Sequence, residues 1–261
     1  MNPVELAVLA IVGAVLGSFA NVLIYRLPRD ESIVSPGSRC PQCGTPILPW
    51  DNMPILSYFL LLGRCRHCGA RISARYPLVE ALMAGLFVVV RLRFPETINV
   101  HPVPWALLSA LTFAFLLVVI TFIDLDRQLI LNRLSLPGAA AGLALAAAQS
   151  RLPGAVLAAV VDAGVILLIV IASEWILKRQ GMGMGDVKLA GMIGAFLGWP
   201  VGPVALYLGF LAGGLAAVTL LILRVRGRRD PIPFGPALAA GALLALFWGD
   251  TIWRWYWRYG P

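Results

Sequence analysis

Charge is what this chain has least of. Only 13% of its 261 residues are Asp, Glu, Lys or Arg, about half the share found in soluble globular domains. With 59% hydrophobic residues and a mean hydropathy of +0.83, an ordinary soluble domain is excluded and a bilayer becomes the solvent for most of the chain. Histidine is nearly absent, with His67 and His101 alone. No H-E-x-x-H occurs, which argues against zinc-assisted hydrolysis on a helix. No G-x-S-x-G elbow occurs either, and the topology below puts the two histidines on opposite membrane sides, so a Ser-His or Cys-His nucleophile is poorly supported. There is no useful internal repeat and no low-complexity tail. The net charge of +8 lacks a basic patch interleaved with stacking aromatics, which argues against a nucleic-acid partner.

What the chain does have is apolar runs. Eight can be picked out: Val4–Tyr25, Tyr76–Val90, Trp105–Ile123, Leu134–Gln149, Ala155–Leu177, Val187–Leu197, Val204–Leu223 and Phe234–Trp248. They predict an all-α polytopic membrane protein of about eight transmembrane helices. The fourth and sixth runs are short for a span of roughly 20 residues. They are rich in Ala and Gly, which suits tilting or close packing inside a bundle. The first run has no basic stretch before it and is followed by Arg26 and Arg29, which reads as a retained anchor rather than a removable signal.

Basic residues set the orientation. With the N-terminus outside, sixteen Lys and Arg residues fall in inner loops and five on the outer side, as the positive-inside rule prefers. The stretch Trp253–Tyr259 then lies outside as an aromatic interface anchor. One loop is large, from Arg26 to Arg75, and it faces the reducing cytosol, where disulfides are disfavoured. It holds all four cysteines, as Cys40-Pro41-Gln42-Cys43-Gly44 and Cys65-Arg66-His67-Cys68-Gly69. Two C-x-x-C pairs about twenty residues apart match a four-cysteine zinc site. Each pair can offer two thiolates from one tight turn, and the Gly after each second Cys suits a turn of positive φ. Four soft ligands with no open position point to structural zinc. His67 reads as a surface residue.

Acidic residues in or near a bilayer each need an account. Asp124 ends the third span and Asp186 begins the sixth, so helix parity puts both at the cytosolic face. Two carboxylates meeting there can share one proton and divide the work of general base and general acid. Asp126 points to another face and reads as exposed or paired with Arg127 or Arg133. Glu80 reads as snorkelling or paired near Arg75, and Glu174 as paired with Lys178 or Arg179. Asp162 lies well inside the fifth span with no obvious partner in sequence. The glycines of Gly181-Met182-Gly183-Met184-Gly185-Asp186 suit either an extended substrate or a hinge before a helix cap.

Gly183-Met184-Gly185-Asp186 resembles the G-x-G-D motif of intramembrane aspartic proteases, and its surroundings through Lys188 are similar to those of bacterial type IV prepilin peptidases. The same resemblance covers Ile123 to Ile130, Gly17 to Pro28, Asp51 to Tyr58 and Arg75 to Glu80, in order. It implies catalytic roles for Asp124 and Asp186 in cutting the leader from type IV prepilins and pseudopilins at the cytosolic side of the bacterial inner membrane. It also implies N-methylation of the new N-terminal residue with S-adenosylmethionine, and an association of the zinc-ribbon-like loop with that step. The expected organisation is a first transmembrane helix (1–25), a cytosolic zinc-binding loop with Cys40, Cys43, Cys65 and Cys68 (26–75) and a transmembrane peptidase core (76–261). The sequence departs from the resemblance at Leu131-Asn132, where a proline-containing step is usual. No residues are assigned to the methyl donor. The rival readings are a transporter with Asp124, Asp162 and Asp186 on an ion path, and a non-enzymatic assembly component of pili or secretion.

Overall fold

Apolar runs bounded by Pro, Gly and Arg should fold as helices, since in lipid each backbone group must be bonded within its own segment. The computed structural model describes residues 3–94, 105–177, 182–224 and 233–259. Among them the chain is all-helical apart from two isolated β-bridges, Arg39 to Pro46 and Arg64 to Arg71. Each of the eight apolar runs lies on a helix. Five of these helices have the length and hydropathy to cross a membrane: those within Pro3–Arg29, Trp105–Arg127, Leu152–Ile176, Val201–Ile222 and Gly235–Tyr259. The other three fall short. Arg75–Arg93 carries several charges, Asn132–Ala148 has 17 residues and Met184–Leu197 has 14, against roughly 20 for a full span.

The chain divides into two compact units, Met1–Pro95 and Glu96–Pro261. In the first, α1 (Pro3–Arg26) packs on α3 (Arg75–Arg93). Gly13 and Gly17, one turn apart, make the contact. A Cβ on Gly13 would lie 2.8 Å from Ala84 Cα, and one on Gly17 would lie 2.6 Å from Glu80 Cα. Small residues at this spacing let two helices in lipid touch backbone to backbone. Val79, Met83 and Phe87 fill the rest of the seam, and Arg91 pairs with Glu5 at 2.6 Å. Between these helices, residues 27–74 hold a 3-10 turn at Pro49–Asn52, the short α2 (Leu56–Leu60) and the cysteines.

The second unit is built around a helix buried on nearly every side. In order it holds α4 (Trp105–Arg127), α5 (Asn132–Ala148), α6 (Leu152–Leu177), α7 (Met184–Leu197), α8 (Val201–Ile222) and α9 (Gly235–Tyr259). α7 buries Val187, Leu189, Ala190 and every residue from Met192 to Leu197, the signature of a core helix rather than a surface one. It packs against α4, α5, α6, α8 and α9. Glycine allows this: a Cβ on Gly194 would strike the Ala158 backbone of α6, and one on Gly142 of α5 would lie 2.9 Å from the Phe196 ring. Phe196 stacks on Phe113 of α4 with centroids 4.8 Å apart. The short, Ala- and Gly-rich sixth run is therefore short because it is interior.

Candidate active site and cysteine centre

Asp124 stands in the last turn of α4 and is 5% exposed. An isolated buried carboxylate is expensive, so it needs donors. The backbone N–H of Gly235, at the start of α9, donates to Asp124 Oδ2 at 3.0 Å. This bond is close only because residue 235 has no side chain. A Cβ there would lie 2.6 Å from Asp124 Oδ2.

Asp186 is 8% exposed and occupies the third position of α7. It is not the helix cap itself. Gly183 caps, and its N–H donates back to Asp186 Oδ2 at 3.0 Å, the carboxylate half of a capping box, while Asp186 N–H donates to the backbone Gly183 O at 3.0 Å in the first turn. The helix N-terminus also favours negative charge here. Each aspartate thus has one oxygen fixed by a glycine N–H. α4 and α7 are in contact. The loop joining α4 to α5 closes over the same region. A Cβ on Gly185 would meet Ile130 Cβ at 2.9 Å, and Lys188 Nζ donates to Asn132 Oδ1 at 2.7 Å.

The remaining acids part company from this pair. Asp126 is exposed, as is Glu174; Lys178, Arg179, Gly181 and His101 lie outside the described residues. Glu80 is buried and takes the Ile55 N–H at 2.7 Å. Asp162 is fully buried in α6, and neither of its oxygens has a hydrogen-bond partner among the described residues. Gly235 is the residue the sequence reading passed over. Its only signal is the triplet Phe234-Gly235-Pro236 at a helix start, where glycine contributes nothing to helix stability.

In the first unit the four cysteines converge, with all four Sγ atoms within 4.8 Å of one another. Two knuckles of matching hydrogen bonding bring them there. Cys40 N–H donates to Thr45 O and Gly44 N–H to Cys40 O; Cys65 N–H donates to Ala70 O and Gly69 N–H to Cys65 O, all at 2.8–3.0 Å. Gly44 and Gly69 have φ of 70° and 72°, the conformation read from the sequence. A tetrahedral ion with about 2.3 Å metal–sulfur bonds separates its sulfurs by about 3.8 Å; Cys40 and Cys68 are 3.9 Å apart. The donor set and spacing therefore fit a closed metal site. The Cys43 thiol lies 3.3 Å from the Thr45 hydroxyl. His67 is exposed. Arg66, inside the second knuckle, grips Asp51 with three bonds of 2.6–3.1 Å and holds that carboxyl below its ordinary range.

A helical membrane protein with two buried, backbone-anchored aspartates at helix ends and a separate four-cysteine centre is thus defined. Residues 11–94 match the bacterial peptidase A24 N-terminal domain, and residues 111–218 match the type IV leader peptidase family. The chain belongs to that family. It is 39% identical to a prepilin leader peptidase/N-methyltransferase of Aeromonas salmonicida over 92% of this chain and 90% of the relative. Relatives of the same name are 35% identical in Pseudomonas aeruginosa, over 94% and 91%, and 35% identical in Bacillus subtilis, over 96% and 97%. No solved structure matches the chain significantly.

Proposed function

We propose that this protein cleaves the leader of type IV prepilins and pseudopilins at the cytosolic face of the bacterial inner membrane, with Asp124 and Asp186 as the catalytic pair, and then N-methylates the exposed N-terminal residue. The observation that carries the peptidase reading is the matched anchoring of the two aspartates, each with one oxygen fixed by a glycine N–H at a helix end. Among the described residues the second oxygen of each has no hydrogen-bond partner, which in this reading leaves it to water and substrate.

The chemistry follows from one shared proton. The ionised aspartate takes a proton from water as its oxygen attacks the scissile carbonyl carbon. The protonated aspartate gives its proton to the carbonyl oxygen. The tetrahedral diol then collapses, the C–N bond breaks, and the leaving nitrogen gains a proton to become the new N-terminus. The apolar substrate helix packs among the spans, so its scissile bond meets the pair where helix ends and water begins. This reading takes all eight helices as membrane elements, the N-terminus as outside and residues 26–75 as the cytosolic loop.

Cys40, Cys43, Cys65 and Cys68 would hold a structural zinc ion, which orders that loop. Methylation is assigned to the first unit, and S-adenosylmethionine supplies the methyl group; no residue is assigned to its pocket. The test of the pair is a cleavage assay in liposomes with a prepilin-like substrate and the Asp124→Asn and Asp186→Asn variants. Each variant, folded and inserted, should lose cleavage entirely. Near-normal cleavage by either would remove that residue from the mechanism.

A further inference from the structure

Ile55 adopts φ 63° and ψ −53°, a region that β-branched residues seldom enter. Leu56 N–H donates to Pro54 O at 2.6 Å, so Ile55 is the centre of a three-residue γ-turn of positive φ, the rare and strained form. Such a turn persists only where its surroundings over-determine it, and it is most often found at working sites. Here the holding group is Glu80, whose Oε2 accepts from Ile55 N–H at 2.7 Å. Glu80 is 8% exposed and sits where α3 meets Gly17 of α1. Its carboxylate has little freedom to shift.

The segment on either side is tied as well. Ser57 Oγ donates to Met53 O at 2.6 Å. Asp51 is gripped by Arg66, between the metal-ligand candidates Cys65 and Cys68. Residues 51–57 are thus clamped at one end by a cysteine knuckle and at the other by a helix carboxylate. The cleavage proposed above places its carboxylates in the second unit and leaves the strain held in the first without a role.

We propose that Glu80 is a positioning residue for methyl transfer, holding the strained turn at Ile55 so that residues 51–57 keep the geometry the first unit uses on the cleaved product. This rests on the assignment of methylation to that unit. The test uses the full-length enzyme in liposomes, a prepilin-like substrate and S-adenosylmethionine, with product masses resolving cleavage from methylation. Glu80→Ala should slow methylation at least about tenfold, from the scale of the strain released, with cleavage within about twofold. Chymotryptic cutting within residues 56–60 should quicken. Glu80→Gln, which keeps an acceptor, should retain most methylation. In an Ile55→Gly background, where positive φ carries no strain, Glu80→Ala should cost much less. The proposal is overturned if Glu80→Ala methylates normally, if it loses both activities alike, or if its cost is the same with Gly at 55. A Cys65→Ser control separates the two layers. Methylation surviving there would sink the unit assignment, whereas methylation lost there but normal in Glu80→Ala would sink only the role of Glu80.

Discussion

Replacing Gly235 by alanine puts a methyl group where the Asp124 carboxylate now sits. The new Cβ would lie 2.6 Å from Oδ2 and 3.0 Å from Cγ. Ordinary contact begins near 3.4 Å, so the carboxylate must retreat by about 0.8 Å or rotate away, and the Gly235 N–H bond is stretched or lost. A hydrogen bond to a charged group is worth about 1.5–3 kcal/mol, and a misplacement near 1 Å costs about a hundredfold in rate. Gly235→Ala should therefore lower kcat for leader cleavage on the order of 100-fold, with KM little changed. Gly183→Ala is the matched control. Its Cβ would find nothing nearer than Asp186 Oδ2 at 3.7 Å, and residue 183 has φ −89°, open to any side chain. That change should cost about 0.5 kcal/mol or less, roughly twofold. Single-turnover cleavage in detergent measures both, with circular dichroism to show intact helices. Near-normal cleavage by Gly235→Ala, or equal damage from the two alanines, would refute the anchoring argument.

Purified protein made without chelators should carry one zinc ion per chain. Cys65→Ser should abolish that content and leave leader cleavage in place, as metal analysis beside the cleavage assay would show. Asp162→Ala should keep full cleavage and a thermal midpoint no lower than wild type, because it removes a buried carboxyl with no partner among the described residues whose burial costs about 1–3 kcal/mol; loss of cleavage would bring Asp162 into the mechanism. The folded-state pKa of Asp51 is depressed by Arg66, so their attachment is complete above the ordinary carboxylate range and is lost as pH falls through the lowered value. Emission from the neighbouring Trp50, taken as the difference from Trp50→Phe, should change across that acidic window in wild type. The Asp51→Asn variant should lack the transition.

Much of this architecture was legible in the sequence because it obeys spacing. Apolar runs located the helices, and two C-x-x-C pairs announced a cluster, since each knuckle is local and its glycine has one conformational reason to be there. Helix parity put Asp124 and Asp186 at two helix ends, and both stand there: Asp124 in the last turn of α4 and Asp186 in the first turn of α7. The number of spans was less legible. Met184–Leu197 reads as apolar whether it crosses lipid or is wrapped by other helices, and only its neighbours show that it is wrapped. Gly235 and Asp124 lie 111 residues apart, and nothing in either segment announces the other. The same holds for Gly13 and Gly17, whose role depends on Ala84 and Glu80 across the seam. Ile55 was hidden for a different reason, since a β-branched residue is the last choice for a turn of positive φ.

Residues 27–74 bury almost no apolar side chain, Cys40 being the exception. Such a stretch has too small a core to order itself, and a bound ion would supply most of what holds it. The order of manufacture then differs between the two parts of the chain. The apolar helices take their shape from the bilayer as they insert, whereas the cysteine segment, with the zinc proposed above, would order only on binding metal. On the zinc and methylation assignments proposed above, a cell starved of zinc would build an enzyme that trims its pilins and releases them with a bare amine. The methylation state of pili would report the metal supply at the time the enzyme was made.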